Sequence, residues 1–271
     1  MNNNIEKAKE IISSRRKKTN CFSFYNEILN WIEEDKVNIH LINNNLFLFL
    51  KNQGFYKLYY YVDDFNQISL CKDLLEKYQL KSDISLEFTT KNDINKEEVT
   101  KIVEETGFEF YKEYARVISA PATFKPTTAK TDFLASIEDK EELLEIMYKE
   151  FDVITDYLPT EKELIDLIKK KSIIIQKINN QIVFIQIYEY QKGTLYSRMT
   201  WIAKEYRKPK FTIGFYEYMY VYLEQLKIED WSKIRTFGWI DKANKNFKIN
   251  LKFGAKTDGT TCTIFLYKGK E

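Results

Sequence analysis

Residues 194–226 read TLYSRMTWIAKEYRKPKFTIGFYEYMYVYLEQL, and residues 233–255 read KIRTFGWIDKANKNFKINLKFGA. The first segment predicts a strand over 194–203, then a basic turn, then a helix over 212–226 that is rich in aromatic residues. The second predicts a strand over 234–240 and a helix over 242–251 that ends before Gly254. A strand that runs through positive charge into a helix is suited to hold a phosphate, because the first N–H groups of a helix lack intrahelical partners and its dipole favours an anion.

The composition indicates a folded protein. The chain has 271 residues, of which 44% are hydrophobic and 15% aromatic, and this length suits one large domain or two of modest size. Lysine and arginine number 42 against 40 aspartates and glutamates. Because the charges nearly balance, we expect no nucleic-acid partner.

The cysteines and the apolar segments exclude further classes. Cys21, Cys71 and Cys262 are odd in number and far apart, which argues against a disulfide framework and against a metal site. The N-terminal residues form no apolar core of a signal peptide, and no apolar run approaches the length of a membrane span. The sequence therefore predicts a cytoplasmic protein with no metal and no membrane partner.

A proline-containing segment divides the chain near its middle. Residues 119–130 read SAPATFKPTTAK and hold two of the four prolines, so they cannot continue a helix or the interior of a sheet. We therefore predict a first domain over 1–120, a linker over 121–130 and a second domain over 131–271.

Both predicted domains mix strands and helices. In the second, helices are expected over 141–150 and from Thr160, where Glu163 completes a capping box. Its strands are expected over 133–137, 172–178, 181–190, 194–203, 234–240 and 261–267. Asn179-Asn180 favours a tight hairpin turn between the second and third of these. In the first, helices are expected over 5–15, 22–34, 67–78 and 96–106, with strands over 37–42, 46–50, 56–62, 84–89 and 109–118. The fold class is α/β (α+β mixed), with a mixed, mostly antiparallel sheet flanked by helices in each domain.

This order of elements resembles the GCN5-related N-acetyltransferases, the GNAT superfamily. Residues 202–207, IAKEYR, resemble the phrase that precedes the pyrophosphate loop of that family, and residues 244–254 resemble its later Asn-led helix. The first domain resembles a degenerate repeat of the same fold. Its acidic pair Asp63-Asp64 follows strand 56–62, at the point where a phosphate site would be basic.

The resemblance implies a site for acetyl-CoA or another acyl-CoA in the second domain. Its pyrophosphate or 3′-phosphate would contact three cations at the basic turn: Arg207, Lys208 and Lys210. The glycine positions of the family's loop fall on Lys210 and Thr212, and the nearest glycine is Gly214. The backbone of Ile202 and Ala203 would bind the amides of pantetheine. Asn244 either caps its helix or binds the cofactor.

Transfer of an acyl group to an amine needs a base. Two carboxylates are candidates: Glu189, late in its strand, and Asp241, at the end of the strand before Asn244. Either also suits an ordinary surface position. Asn250 takes the position of the tyrosine that many family members use as an acid, and it would hydrogen-bond the thioester region.

These residues predict an acyltransferase in which an amine attacks acyl-CoA directly in a ternary complex, because no nucleophile constellation is visible. The acceptor would be a small-molecule or peptide amine. Two alternatives stay open. A non-catalytic GNAT-like binding module would explain the absent loop glycines, and an aminoacyl-tRNA-dependent transferase would need a local basic patch. The sequence does not specify the oligomeric state.

Overall fold

The computed structural model describes residues 2–79, 82–119, 133–191, 193–207, 222, 226, 234–252 and 254–269. The predicted linker 121–130 and the predicted helix 212–226, apart from residues 222 and 226, lie outside this part of the chain. The contacts divide the protein into two compact units. The first comprises Met1–Ala115, Asp241–Ala243 and Gly259–Glu271, and the second comprises Arg116–Ile240 and Asn244–Asp258.

The first unit begins with two helices separated by a two-residue strand, and continues with a strand meander and further helices. Its elements are α1 (Asn2–Ser14), β1 (Lys18–Thr19), α2 (Tyr25–Glu33), β2 (Val37–Ile42), β3 (Asn45–Lys51), β4 (Phe55–Val62), a 3-10 helix (Phe65–Cys71), α3 (Lys72–Gln79), β5 (Asp83–Lys91), α4 (Lys96–Glu105) and β6 (Glu109–Ser119). Each predicted strand of this half is present within two residues of its expected bounds. The sequence therefore carried enough periodicity to locate these elements.

The sheet of the first unit combines antiparallel and parallel pairs. Strands β2, β3 and β4 pair antiparallel in sequence, and β4 pairs parallel with β5. The last strand of the chain, β11 (Lys256–Tyr267), pairs antiparallel with β5, from Ile84 opposite Tyr267 to Lys91 opposite Thr260. The sequence predicts that all of 131–271 forms the second domain, whereas the contacts group Gly259–Glu271, which holds most of this strand, with the first unit.

Both faces of this sheet are buried. One face of β3 and β4 packs Phe47, Phe49 and Tyr60 with the residues of α3 and α4, whereas the other packs Leu48 and Tyr61 with α1 and α2. Residues that alternate along a strand point to opposite faces, so a strand covered on both sides reads as an unbroken apolar run. This explains the apolar run of β3.

The second unit carries two helices ahead of its strands. Its elements are a 3-10 helix (Ile137–Asp139), α5 (Lys140–Glu150), α6 (Glu161–Lys169), β7 (Ile173–Ile178), β8 (Gln181–Gln191), β9 (Thr194–Ile202), a 3-10 helix (Lys204–Tyr206), β10 (Arg235–Asp241) and α7 (Lys245–Lys252). Residues 116–119 of β6 belong to this unit, whereas Asp241 at the end of β10 belongs to the first. The strand predicted over 133–137 is absent, and only an isolated bridge joins Leu134 to Ile174. Asp139 ends the extended segment, because its carboxylate accepts the N–H of Ser136 and starts the 3-10 helix.

Two local signals of this unit are confirmed. Thr160 caps α6 with its side chain and forms the predicted capping box with Glu163. Asn179 and Asn180 adopt left-handed φ angles of 51° and 63° between β7 and β8, as a tight hairpin turn requires. Strands β7, β8 and β9 pair antiparallel, and β9 pairs parallel with β10. None of the helices in the described ranges combines the length and the apolar character needed to cross a lipid bilayer.

Candidate functional site

The parallel pair of the second unit separates part of the way along its length. Its register runs from Thr194 opposite Arg235 to Ser197 opposite Gly238 and ends there. Strand β9 then remains paired with β8 as far as Ile202. A Cβ atom on Gly238 would lie 3.2 Å from the carbonyl oxygen of Ser197, so the last paired position depends on a residue without a side chain. We call the place where β9 and β10 part the strand split.

A β-bulge lies at the strand split. Ile187 of β8 pairs with Met199 and Tyr188 pairs with Ser197, so Arg198 is an extra residue in β9. A bulge bends its strand and increases the local twist. It therefore supplies a physical reason for β9 to turn away from β10 directly after Ser197.

A buried glutamine stabilises the bulge. Gln186 is 5% exposed, and its Nε2 donates to Ser197 Oγ at 3.0 Å while its Oε1 accepts from Thr200 Oγ1 at 2.6 Å. Residues 197 and 200 of a regular strand would point to opposite faces. The extra residue Arg198 brings both hydroxyls to the face of Gln186, so the three side chains form a network that depends on the bulge.

Arg198 itself pairs with one of the predicted bases. Its Nη1 lies 3.1 Å from Oε1 of Glu189, and its Nη2 donates to the carbonyl oxygen of Tyr157 at 2.8 Å. Tyr157 lies between α5 and α6 with a left-handed φ of 48°. Glu189, near the end of β8, is therefore the counter-ion of an arginine whose side chain is only 18% exposed.

The end of β9 is bound to its own chain. Ala203 donates its N–H to Val183 at 2.9 Å, and the carbonyl oxygen of Ile202 accepts from Nε of Arg207 at 2.8 Å. Nη2 of Arg207 also lies 3.6 Å from Oε2 of Glu150, and half of the Arg207 side chain is exposed. The structure thus places the three predicted cofactor residues Ile202, Ala203 and Arg207 together. Four others, Lys208, Lys210, Thr212 and Gly214, lie outside the described residues.

Helix α7 begins at Lys245, three residues after its predicted start, and ends at Lys252, one residue after its predicted end. Oδ1 of Asn244 accepts the N–H of Asn246 at 2.9 Å, which is the capping use of an asparagine at a helix start. After the helix, Gly254 adopts a left-handed φ of 88°, and Ala255 donates its N–H to the carbonyl of Asn250 at 3.1 Å. Asn250 directs its side-chain amide to the carbonyl of Asn246 at 2.9 Å.

The second candidate base also bonds locally. Asp241 is the last residue of β10, and its Oδ1 accepts the N–H of Ala243 at 2.8 Å. A carboxylate in such a turn keeps its second oxygen for another partner. Asp241, Asn244 and Asn250 are therefore positioned by short-range bonds within their own segments.

Sequence reasoning missed the residues that shape the strand split. Gln186 stands between Ile185 and Ile187 in an apolar strand, and a buried polar residue there needs partners. This pattern predicts that Gln186 has hydrogen-bond partners, but it does not identify Ser197 and Thr200 as those partners. On the same face, burial raises the pKa of Tyr222, whose ring lies against Tyr188 with centroids 5.8 Å apart.

The comparisons with known proteins bear on the fold. No family model and no curated protein matches the chain. A solved structure of a tandem GNAT protein from the clavulanic acid biosynthesis pathway superposes with a TM-score of 0.60 at 6% identity, over 98% of this chain and 94% of that one. A GCN5-related N-acetyltransferase from Sphaerobacter thermophilus has a TM-score of 0.56 at 10% identity, over 90% and 85%.

A further GCN5-related N-acetyltransferase, from Kribbella flavida, has a TM-score of 0.54 at 9% identity, over 98% of this chain and 70% of that one. At these identities the likeness concerns the arrangement of the backbone. The match to a tandem protein extends over both units of this chain. The chain therefore has the fold of the GCN5-related N-acetyltransferases, in its tandem form of two such domains.

Proposed function

We propose that the chain is an acyltransferase that moves an acetyl or other acyl group from acyl-CoA to an amine. The observation that supports this most is the strand split after the bulge at Arg198. Where two strands part, the edge of one becomes accessible to an extended ligand that carries amides, as in β-strand addition. The pantetheine arm of CoA is such a ligand.

Charge at the end of β9 supports the same ligand. Arg207 follows the short 3-10 helix after β9, and its guanidinium has both a carbonyl and a carboxylate as partners. A guanidinium binds phosphate oxygens through paired, charge-assisted hydrogen bonds, which are stronger than bonds to a neutral carbonyl. We therefore assign the pyrophosphate to Arg207, which would give up its contact with Glu150 on binding.

The proposed reaction is a direct attack. A base removes a proton from the ammonium of the acceptor, the free amine forms a C–N bond with the thioester carbonyl, and the C–S bond breaks. The departing thiolate takes up a proton. Glu189 and Asp241 are the candidate bases, and Asn250 is the candidate donor to the thioester region. The acceptor is proposed to be a small molecule or a peptide.

The contacts of these residues also favour one alternative, a binding module without catalysis. Glu189 is paired with Arg198, Asp241 accepts a backbone N–H, and Asn250 donates to its own helix. A base must be within reach of the proton that it removes. If none of these groups is available, the chain would bind the thioester and leave it unchanged.

Titration calorimetry with acetyl-CoA tests the binding. Arg207→Ala is compared with Arg235→Ala, which removes another exposed cation of the second unit at the opposite end of the paired strands. Loss of a charge-assisted contact should weaken binding by about tenfold or more in Arg207→Ala, and Arg235→Ala should bind as the native chain does. Absence of binding to acetyl-CoA and to longer acyl-CoAs would contradict the proposal.

A thiol-release assay with a panel of amines then separates the two functions. If the native chain binds acetyl-CoA and releases thiol, one variant should identify the base. That variant, Glu189→Gln or Asp241→Asn, would lose turnover at unchanged affinity. Binding without turnover by the native chain would favour the binding module.

A further inference from the structure

The first unit contains a second strand split. Its parallel pair β4–β5 runs from Phe55 opposite Asp83 to Leu58 opposite Leu86 and ends there. Farther along β4, the two-residue strand β1 takes the place of β5, with Lys18 opposite Val62 and Thr19 opposite Tyr61. The edge that β5 leaves is therefore covered by the chain's own segment after α1.

Asn20 joins the two separated strands through its carboxamide. Its Nδ2 donates to the carbonyl oxygens of Leu58 in β4 and Glu87 in β5, at 3.0 and 2.9 Å. Its Oδ1 accepts the N–H of Tyr60 at 2.8 Å. Asn20 is 5% exposed, so this one amide group satisfies three backbone groups away from water.

Two salt bridges also join the inserted segment to the residues that follow β4. Nζ of Lys17, whose side chain is 8% exposed, lies 2.6 Å from Oδ2 of Asp63, and Nζ of Lys18 lies 3.3 Å from Oδ2 of Asp64. Asp64 also accepts the N–H of Asn66 and caps the following 3-10 helix. The acidic pair that follows β4 is thus matched by two lysines of the inserted segment.

We propose that residues 17–21 are an internal ligand of the first unit. The unit recognises this extended segment by its carboxamide and by the adjacent lysines. An external ligand with amides would have to displace three buried hydrogen bonds, and its phosphates would meet Asp63 and Asp64. The inserted segment is covalently attached, so its effective concentration is high. In combination with the proposed function, this leaves one acyl-CoA site per chain, in the second unit.

Hydrogen exchange of the full chain tests the internal ligand without any CoA. In Asn20→Ala the amide of Tyr60 should exchange at least about tenfold faster than in the native chain, since its acceptor is removed, while the amides of β3 keep their protection. Asn38→Ala, an exposed asparagine of β2, is the control and should leave Tyr60 protected. Unchanged exchange of Tyr60 in a folded Asn20→Ala chain would overturn the proposal.

Asn20→Asp provides a second test if the alanine variant does not fold. It keeps the acceptor for Tyr60 and removes the donor to Leu58 and Glu87, so Tyr60 should remain protected relative to β3. Loss of protection at Tyr60 while the amides of β3 stay protected would count against the proposal. Calorimetry of the native chain adds the stoichiometry: one acetyl-CoA per chain supports the internal ligand, and two overturn it. No binding at all would refute only the proposed function, because the exchange result stands by itself.

Discussion

Replacing Gln186 with leucine should weaken the second unit by removing the network that holds the bulge. The glutamine is 5% exposed and bonds two hydroxyls of β9, those of Ser197 and Thr200. Leucine has a similar volume and neither donates nor accepts hydrogen bonds. Both hydroxyls would then lose a partner at the point where β9 turns away from β10.

The magnitude follows from the exposure of each group. Thr200 is exposed, so its hydroxyl can bond water instead, whereas Ser197 is only partly exposed. We expect Gln186→Leu to lower the free energy of unfolding by about 1–2 kcal/mol, and Thr200→Val by about 0.5–1 kcal/mol. The coupling energy between the two substitutions should be about 0.5–1.5 kcal/mol.

Urea unfolding of the four proteins of this double-mutant cycle measures the coupling. Gln181→Leu is the matched control, because Gln181 is an exposed glutamine at the start of the same strand, and it should change stability by less than about 0.5 kcal/mol. A coupling energy below about 0.3 kcal/mol, or a Gln181→Leu variant as unstable as Gln186→Leu, would refute the role of this network in holding the bulge.

Three further outcomes are expected. Gly238→Ala should lower the thermal unfolding midpoint, by the equivalent of about 1 kcal/mol or more, because its Cβ would lie 3.2 Å from Ser197 O; a raised midpoint would contradict the close approach. Thr160→Ala should cost about 1 kcal/mol in urea unfolding, since it removes the side-chain cap of α6, and no change would show that the cap contributes little. Burial acts to raise the pKa of Asp139, but Lys177 and the N–H of Ser136 outweigh it, so the pKa lies below its usual value of 3.8. The ionised carboxylate of Asp139 therefore stabilises the folded chain above pH 3.8. This stabilisation is lost as the pH falls through the lower pKa that Asp139 has in the folded chain. Asp139→Asn should flatten that acid dependence in unfolding measured from pH 5 to 2, and an unaltered profile would contradict the assignment.

Elements whose signals are local were predicted from the sequence. The Thr160 capping box, the Asn179-Asn180 turn and the helix from Asn244 to Gly254 each depend on residues within a few positions of one another. The same holds for the apolar strands of both units. In these places the local preference and the fold agree, so reading the sequence was sufficient.

The structure departs from the sequence prediction where a nearby side chain bonds the backbone. The segment 133–137 was read as a strand from its apolar residues, but the carboxylate of Asp139 turns the chain into a 3-10 helix. Arg207, which the sequence predicts to contact a phosphate, bonds the carbonyl of Ile202 in this structure. In both places a side chain bonds the backbone, which periodicity does not register.

By itself the sequence determined the mixed α/β class and the order of most of the described elements, because hydrophobic periodicity and capping act over a few residues. The folded chain was needed for three features: the bulge at Arg198, the attachment of β11 to the first unit, and the insertion of Asn20 between β4 and β5. The last two depend on pairing partners far apart in the chain, and the bulge depends on the register of β9 against β8. The hydrogen bonding and burial of the whole sheet determine which strands pair and in which register. A short segment therefore does not predict the pairing.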